Sequence, residues 1–352
     1  MNRLSVPLRL AAALLLVVAG AVRGQGEDGI DVHMHLRWSG RSQGGERDFH
    51  ASASRLIQMM DRAGVARALV MPPPRSPSQA NDFPWEALRK AVRAHPDRLA
   101  LVAGGDVLQP VIEGTDPADV TPAARAKFVA AAEALLDSGA VAFGEMTALH
   151  FSFGPGHPFK QVPADHPLFL ALAEVAARRD VAIDLHVEAV LEAQPLPEGL
   201  QGRSPRNPRR VEATIPALER LLAHEPKARI VWQHVGWDNT GHLTADLVRR
   251  LLDAHPNLFC AIKVVRPELE EFRKGVSIVD GELRIRPEWS TLVADHPDRF
   301  VIGADEFVPP EEGPRAGGPP SFVDTWSIVP LLPVAVRSKV ARENAVRIYH
   351  LE

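Results

Sequence analysis

His33, Met34 and His35 close a short apolar run that begins at Gly29. Successive side chains of an extended strand point to opposite faces. His33 and His35 therefore project the same way, as a two-imidazole chelate for a divalent cation. Alone, a His-x-His pair also describes two polar residues at a strand end, so the chain must supply further ligands. Four candidates each stand at the end of an apolar run: Glu145 in Phe143-Gly144-Glu145-Met146, His186 in Ile183-Asp184-Leu185-His186, His234 in Val231-Trp232-Gln233-His234, and Asp305 in Ile302-Gly303-Ala304-Asp305. Four imidazoles and two carboxylates make a mixed nitrogen–oxygen set that suits Zn²⁺, with Mn²⁺ or Fe²⁺ as alternatives. Thiolate is absent from the set, because Cys260 sits inside an apolar run and reads as core. Zn²⁺ lowers the pKa of a bound water from about 16 to roughly 7, and a carboxylate beside that water can take its proton. Asp305 is the expected acceptor.

The elements that must carry these groups follow one rhythm. A short apolar, β-branched run gives way to a loop, then to an amphipathic helical stretch, then to the next run. The expected strands are Ile30 to Leu36, Ala66 to Met71, Leu99 to Ala103, Val141 to Met146, Val181 to Val187, Arg229 to Val235, Leu258 to Val264 and Phe300 to Ala304. The expected helices are Ser52 to Ala63, Trp85 to Ala94, Pro122 to Asp137, Pro167 to Arg179, Val211 to His224, Thr244 to Ala254, Pro287 to Ala294, and a last one near Pro333 to Tyr349. Such alternation implies a parallel sheet. Eight units predict an α/β fold of the (β/α)₈ TIM-barrel type, with function at the C-terminal ends of the strands. The alternative is a doubly wound open sheet, which the absence of a glycine-rich loop after the first strand disfavours. The stretches Pro195 to Arg210 and Pro309 to Pro320 read as long loops on the active-site face.

The chain has 352 residues, 45% of them hydrophobic, and a formal net charge of -4. That length allows one large α/β barrel or two modest domains, and the charge gives no reason to expect nucleic acid as a partner. Arg3 and Arg9 precede the apolar stretch Leu10 to Ala21, and small residues follow at Val22-Arg23-Gly24. Residues 1–24 are thus expected to be a cleaved signal peptide and residues 25–352 the barrel. An uncleaved membrane anchor is the other reading, disfavoured because the run is short for a transmembrane helix. The expected location is periplasmic or secreted, with no stable membrane insertion after leader cleavage. The single cysteine excludes an intramolecular disulfide.

Asp31-Val32-His33-Met34-His35, followed in strand order by Glu145, His186, His234 and Asp305, resembles the amidohydrolase superfamily. The resemblance is closer to its amidohydrolase-2 branch, which includes aminocarboxymuconate-semialdehyde decarboxylase and several lactonases. Arg342-Glu343-Asn344-Ala345-Val346-Arg347 looks like the Asn-Ala-x-Arg pattern of that branch's final helix. The resemblance implies that His33 and His35 form the first-strand metal pair and that His186 is the fifth-strand ligand. It implies that His234 is a sixth-strand histidine that binds metal or contacts the catalytic water or substrate. Asp305 becomes the eighth-strand metal ligand and proton acceptor. Many two-metal relatives carry a carboxylated lysine where Glu145 stands, and a nuclease branch carries a glutamate. Glu145 is thus an expected ligand that leaves the choice between one cation and two open.

Around this set, period two places Asp31 on the face of His33 and His35, and Asp184 and Glu188 on the face of His186. Ligating histidines commonly donate their second N–H to such carboxylates or to backbone carbonyls. Glu188, past its strand, is also a candidate for binding substrate. Lys263 in an apolar run must meet a carboxylate or an anionic substrate. Trp237, Asp238 and Asn239, just after His234, are expected to shape the pocket. His150, His157, Arg266 and the run Arg203, Arg206, Arg209 and Arg210 are either substrate-side groups or solvated loop residues. The leading expectation is a metal-dependent hydrolase of a small-molecule ester, lactone or amide, with a homo-oligomer allowed. The alternatives are a non-oxidative decarboxylase on the same barrel and a non-catalytic ligand-binding barrel.

Overall fold

The computed structural model describes residues 28–40, 47–265, 277–311 and 321–351. The expected leader, Arg266 and most of the loop from Pro309 to Pro320 lie outside the described residues. Eight parallel strands form a ring: β1 (Gly29–Leu36), β2 (Val65–Val70), β3 (Leu99–Gly104), β4 (Ala142–His150), β5 (Ala182–Val187), β6 (Arg229–Val235), β7 (Leu258–Ile262) and β8 (Phe300–Ile302). Neighbours in sequence pair in space, and Ile302 of β8 pairs with Asp31 of β1 to close the barrel. Closure removes both sheet edges. The short strand Glu306–Val308 then continues along β1, with Glu306 opposite Met34.

Parallel neighbours need crossovers. These are supplied chiefly by helices α1 (His50–Ala63), α2 (Trp85–Arg93), α3 (Gln109–Glu113), α4 (Pro122–Asp137), α5 (Pro167–Arg179), α6 (Ile215–His224), α7 (Ala245–Ala254) and α8 (Pro287–Asp295). Local signals set their ends. Thr121 accepts the Ala124 N–H at 3.2 Å before Pro122 opens α4, and Thr244 accepts the Leu247 N–H at 3.2 Å before α7. Gly64 ends α1 at φ +71°, a conformation that glycine reaches without strain. The period-two pattern sorts the buried side chains into two clusters. Ala68, Leu101, Phe143, Ile183, Ile230 and Cys260 pack with helix residues such as Leu88, Ala132, Leu172, Leu218 and Leu251. Leu69, Val102, Ala142, Ala182, Val231, Ala261 and Val301 pack with one another instead, together with Ile348 and Tyr349.

After α9 (Ser321–Ser327), the C-terminal segment is helical as the sequence pattern predicts: a 3₁₀ turn at Val334–Val336 leads into a π-helical turn at Lys339–Glu343 and α10 (Asn344–Tyr349), with right-handed helical backbone at the joining residues Arg337, Ser338 and Glu343. Asn344 anchors this segment. Its amide donates to Pro297 O at 2.9 Å and Phe300 O at 2.8 Å, fastening the segment to the start of β8. Tyr349 then donates its hydroxyl proton to the buried Asp184 carboxylate. The loop from Pro195 to Arg210 also has structure, with a two-stranded pairing of Gln194–Pro195 to Arg210–Val211. Among the described residues no helix is long and apolar enough to cross a membrane.

One helix start is tied to pH. His166 caps α5 with Nδ1 accepting the Leu168 N–H at 3.2 Å, while Nε2 faces Thr115 O at 2.9 Å. Only the neutral imidazole protonated on Nε2 satisfies both contacts. Burial pushes the His166 pKa below its ordinary value. The unfolded chain therefore binds the extra proton first as pH falls. The His166 contribution is complete above the unfolded pKa, near 6.5, and is lost as pH falls through the folded one. We expect His166→Ala to cost about 1 kcal/mol at pH 7.5, the usual value of an N-cap. The gap in melting temperature between wild type and variant should narrow toward pH 5; a gap that widens there would refute this reading.

Candidate metal centre

The six expected ligands converge at one end of the barrel. His33 and His35 leave β1 with their Nε2 atoms 3.1 Å apart. His35 Nε2 lies 3.4 Å from Glu145 Oε2 and 3.2 Å from Asp305 Oδ1. His33 Nε2 is 3.6 Å from the same two oxygens. On the other side of Glu145, Oε1 meets His186 Nδ1 at 2.9 Å and His234 Nε2 at 3.5 Å. The donors thus form two groups, His33–His35–Glu145 and Glu145–His186–His234, each with ligand atoms within 4.8 Å of one another. Glu145 belongs to both.

The strand ends that deliver these groups are not relaxed. His234 and Asp305 adopt φ of +63° and +52°, the left-handed region that non-glycine residues rarely enter. Such strain concentrates at functional sites, where the surrounding structure enforces it. Two residues on, Gly236 at φ +103° lets the chain turn against Ile278. At β8, Gly303 leaves room for His33, whose Cβ would lie 3.1 Å from any Cβ placed there.

The cluster is electrostatically loaded. Burial works against ionisation of Glu145, yet the surrounding imidazoles hold its carboxyl well below the usual range. Burial likewise opposes ionisation of Asp305, and the Lys263 ammonium and His234 hold its carboxyl down. For His35, burial is outweighed by Asp305 and Glu145, which raise its pKa to about 9; Glu145 and Glu188 do the same for His186. His234 goes the other way, pushed by burial to about 3. Both its ring nitrogens are buried, and neither has a hydrogen-bond partner among the described residues. Carboxylates held ionised, imidazole edges that face one another and an unpartnered buried imidazole form a donor set that fits a divalent cation. Protons on His35 and His186 compete with such a cation, so binding it releases them.

Asp31 and Asp184 do different work from that expected, whereas Glu188 faces His186 Nε2 at 3.6 Å. Asp31 does not reach a histidine ring. It accepts the backbone N–H of His33 at 3.0 Å, that of Ala304 at 3.2 Å and the Trp326 indole N–H at 2.8 Å, locking β1 to β8. Asp184 takes the Tyr349 hydroxyl. The second nitrogen of His35 faces a backbone carbonyl, Met71 O, at 2.9 Å, the other partner expected of a ligating histidine. Period two gives the face correctly but not which donor on that face is nearest. Lys263 meets Asp305 Oδ2, and its ammonium lies 4.3 Å from the centre of the Trp237 ring. Trp237 in turn packs edge-on against His234 at 6.0 Å. Glu188 is buried, with both oxygens accepting from Asn239 Nδ2 at 2.8 and 3.0 Å. Asn239, expected to help shape the pocket, does so through Glu188, whereas the stacking of Phe307 on His35 at 4.3 Å carried no distinctive signal in the sequence. His150 and His157 lie at this rim, with the His150 ring 4.8 Å from both His157 and His186. Of the arginine run, Arg206 lines a separate cleft with Ser76, Gln79 and Glu113, and Arg210 donates to Ala193 O at 3.0 Å.

A closed parallel barrel with buried histidines and carboxylates gathered at its strand ends defines the metal-dependent hydrolases of the amidohydrolase superfamily. A family model described as Amidohydrolase (Amidohydro_2) matches residues 30–351, and the chain belongs to that family. It resembles several solved structures in fold. One, from the engineering of organophosphate hydrolysis activity on a weak promiscuous lactonase template, is 15% identical with a TM-score of 0.52, over 91% of this chain and 95% of the other. A mutant PTE-like lactonase of Deinococcus radiodurans is 13% identical with a TM-score of 0.50, again over 91% and 95%. An amidohydrolase 2 of Bifidobacterium longum subsp. infantis is 11% identical with a TM-score of 0.46, over 92% and 99%. No curated protein matches the sequence.

Proposed function

We propose that this enzyme hydrolyses an ester, lactone or amide bond of a small molecule at a centre for two divalent cations. His33, His35 and Asp305 would hold one cation, His186 and His234 the other, with Glu145 shared. The observation that carries the reading is the pair of donor groups that have Glu145 in common. Zn²⁺ suits this donor set best, with Mn²⁺ or Fe²⁺ as alternatives. Bound there, the cations supply Lewis acidity that acidifies a water and polarises the electrophilic carbonyl.

The chain's own groups do the rest. Asp305 turns Oδ1 toward the His33–His35 edge, while Lys263 holds Oδ2. An ionised Asp305 can take the proton of the attacking water at Oδ1 and return it to the leaving group. Lys263 both keeps Asp305 charged and fixes its orientation. Trp237 lies against His234 and under the Lys263 ammonium, shielding this side of the site from water and offering substrate an apolar wall.

The test is a panel of lactones, aryl esters and amides offered to the purified, Zn²⁺-loaded chain, with acid and CO₂ release both followed. Two of the structures similar in fold are described as lactonases or built on one, so lactones come first. We expect acid release from at least one lactone or ester, abolished by a chelator and restored by Zn²⁺. Release of CO₂ without a hydrolysis product would instead mark a decarboxylase.

A further inference from the structure

Glu188 is fixed at every end. Its backbone N–H donates to Leu149 O at 3.2 Å, and its carbonyl accepts the Thr214 hydroxyl at 2.7 Å. Its carboxylate receives both contacts from the Asn239 amide, and the residue is only 7% exposed, which leaves substrate little of it to touch. Its Oε1 faces His186 Nε2 at 3.6 Å, while the opposite ring nitrogen, Nδ1, meets Glu145 at 2.9 Å. The His186 imidazole is therefore held between two carboxylates, one at each nitrogen. Asn239 stands in the loop after β6, five residues beyond His234, so the same contact ties together the segments that follow the two histidine-bearing strands.

We infer that Glu188, braced by Asn239, is a positioning residue whose charge, facing His186 Nε2 at 3.6 Å, keeps the ring proton on that nitrogen and so commits Nδ1 as the cation donor. The inference rests on the two-cation reading above. An imidazole has two nitrogens that can bind a cation, and the hydrogen bond made by one decides that the other is the free donor. Without Glu188, His186 can exchange tautomers or turn its ring, and the cation shared by Glu145, His186 and His234 loses a preset ligand. The cation held by His33, His35 and Asp305 keeps all of its own. Losing the partner of a ligating histidine typically costs roughly 10–100-fold in metal affinity.

The experiment strips the full chain with a chelator, then titrates it with Zn²⁺ and Co²⁺ against a competing chelator. Wild type should take up two equivalents. In Glu188→Ala one equivalent should weaken roughly 10–100-fold, the range usual for such partners, while the other keeps its affinity. The visible spectrum of the weakened Co²⁺ equivalent should shift. Glu188→Gln, which keeps an oxygen but loses the charge that faces Nε2, should recover only part of that affinity. Asn239→Ala, which leaves the carboxylate in place, should weaken the same equivalent less. Should Glu188→Ala fail to fold, the Asn239→Ala and Glu188→Gln titrations still decide. Two equivalents bound with wild-type affinity in Glu188→Ala or, where that variant does not fold, in Asn239→Ala, or an equal weakening of both equivalents, overturns the positioning role alone. A wild-type chain that takes up no cation overturns the metal reading itself, and this inference with it.

Discussion

Glu145→Gln is expected to lower cation content from two equivalents to one or fewer and to remove nearly all turnover. The substitution preserves side-chain volume and removes one charge. That charge faces all four imidazoles: His186 and His234 at Oε1, His33 and His35 at Oε2. The amide would offer one oxygen and turn an NH₂ toward histidine nitrogens that are meant to donate to a cation. Both donor groups contain Glu145, so both should weaken. The loss should exceed the roughly 10–100-fold that follows removal of a mere partner of a ligand. Elemental analysis of the purified variant, with turnover on the best substrate of the panel, reads both effects. A variant that keeps two equivalents would show that Glu145 is not shared. One that keeps one equivalent and near-normal turnover would show that a single cation suffices.

Asp305→Asn should lower kcat by roughly 10²–10⁴-fold, the usual worth of a positioned general base, and change KM little. The fold should survive, because asparagine is among the few residues that accept the left-handed backbone conformation found at this position. Lys263 would then face a neutral amide. If Asp305 served only to neutralise that ammonium, pairing Asp305→Asn with Lys263→Met would restore turnover. We expect the double variant to remain as slow as the single one, because the missing function is the Asp305 carboxylate itself, as cation ligand and proton acceptor. Near-normal turnover in Asp305→Asn would remove that role.

Much of this architecture was legible because the signals are local and periodic. The helices Pro122–Asp137 and Pro167–Arg179 are read correctly to the residue, since a proline at the first turn and charged or polar stops bound each one. The strands β1, β5 and β6 are right to within one residue, because apolar, β-branched runs buried on both faces stand out from the helices between them. What was not legible depends on tertiary partners. β4 runs on to His150, four residues beyond its apolar pattern, because Lys160–Gln161 pairs with its end. The last helix contains a π-helical turn just before Asn344, which bonds carbonyls at the start of β8. For the candidate site, ligand types and strand ends could be read from the chain. The division of the donors into two groups around Glu145 could not, since it depends on which oxygen faces which imidazole. The same is true of Glu188, whose face was predictable but whose Asn239 partner lies one strand away.

The most direct measurement of the central claim is anomalous scattering from crystals of the Zn²⁺-loaded chain, with data collected on both sides of the zinc absorption edge. The account predicts two peaks, one among His33, His35 and Asp305 and one between His186 and His234, with the Glu145 carboxylate touching both. A single peak that leaves Glu145 uncoordinated, or no peak among these six side chains, would contradict it.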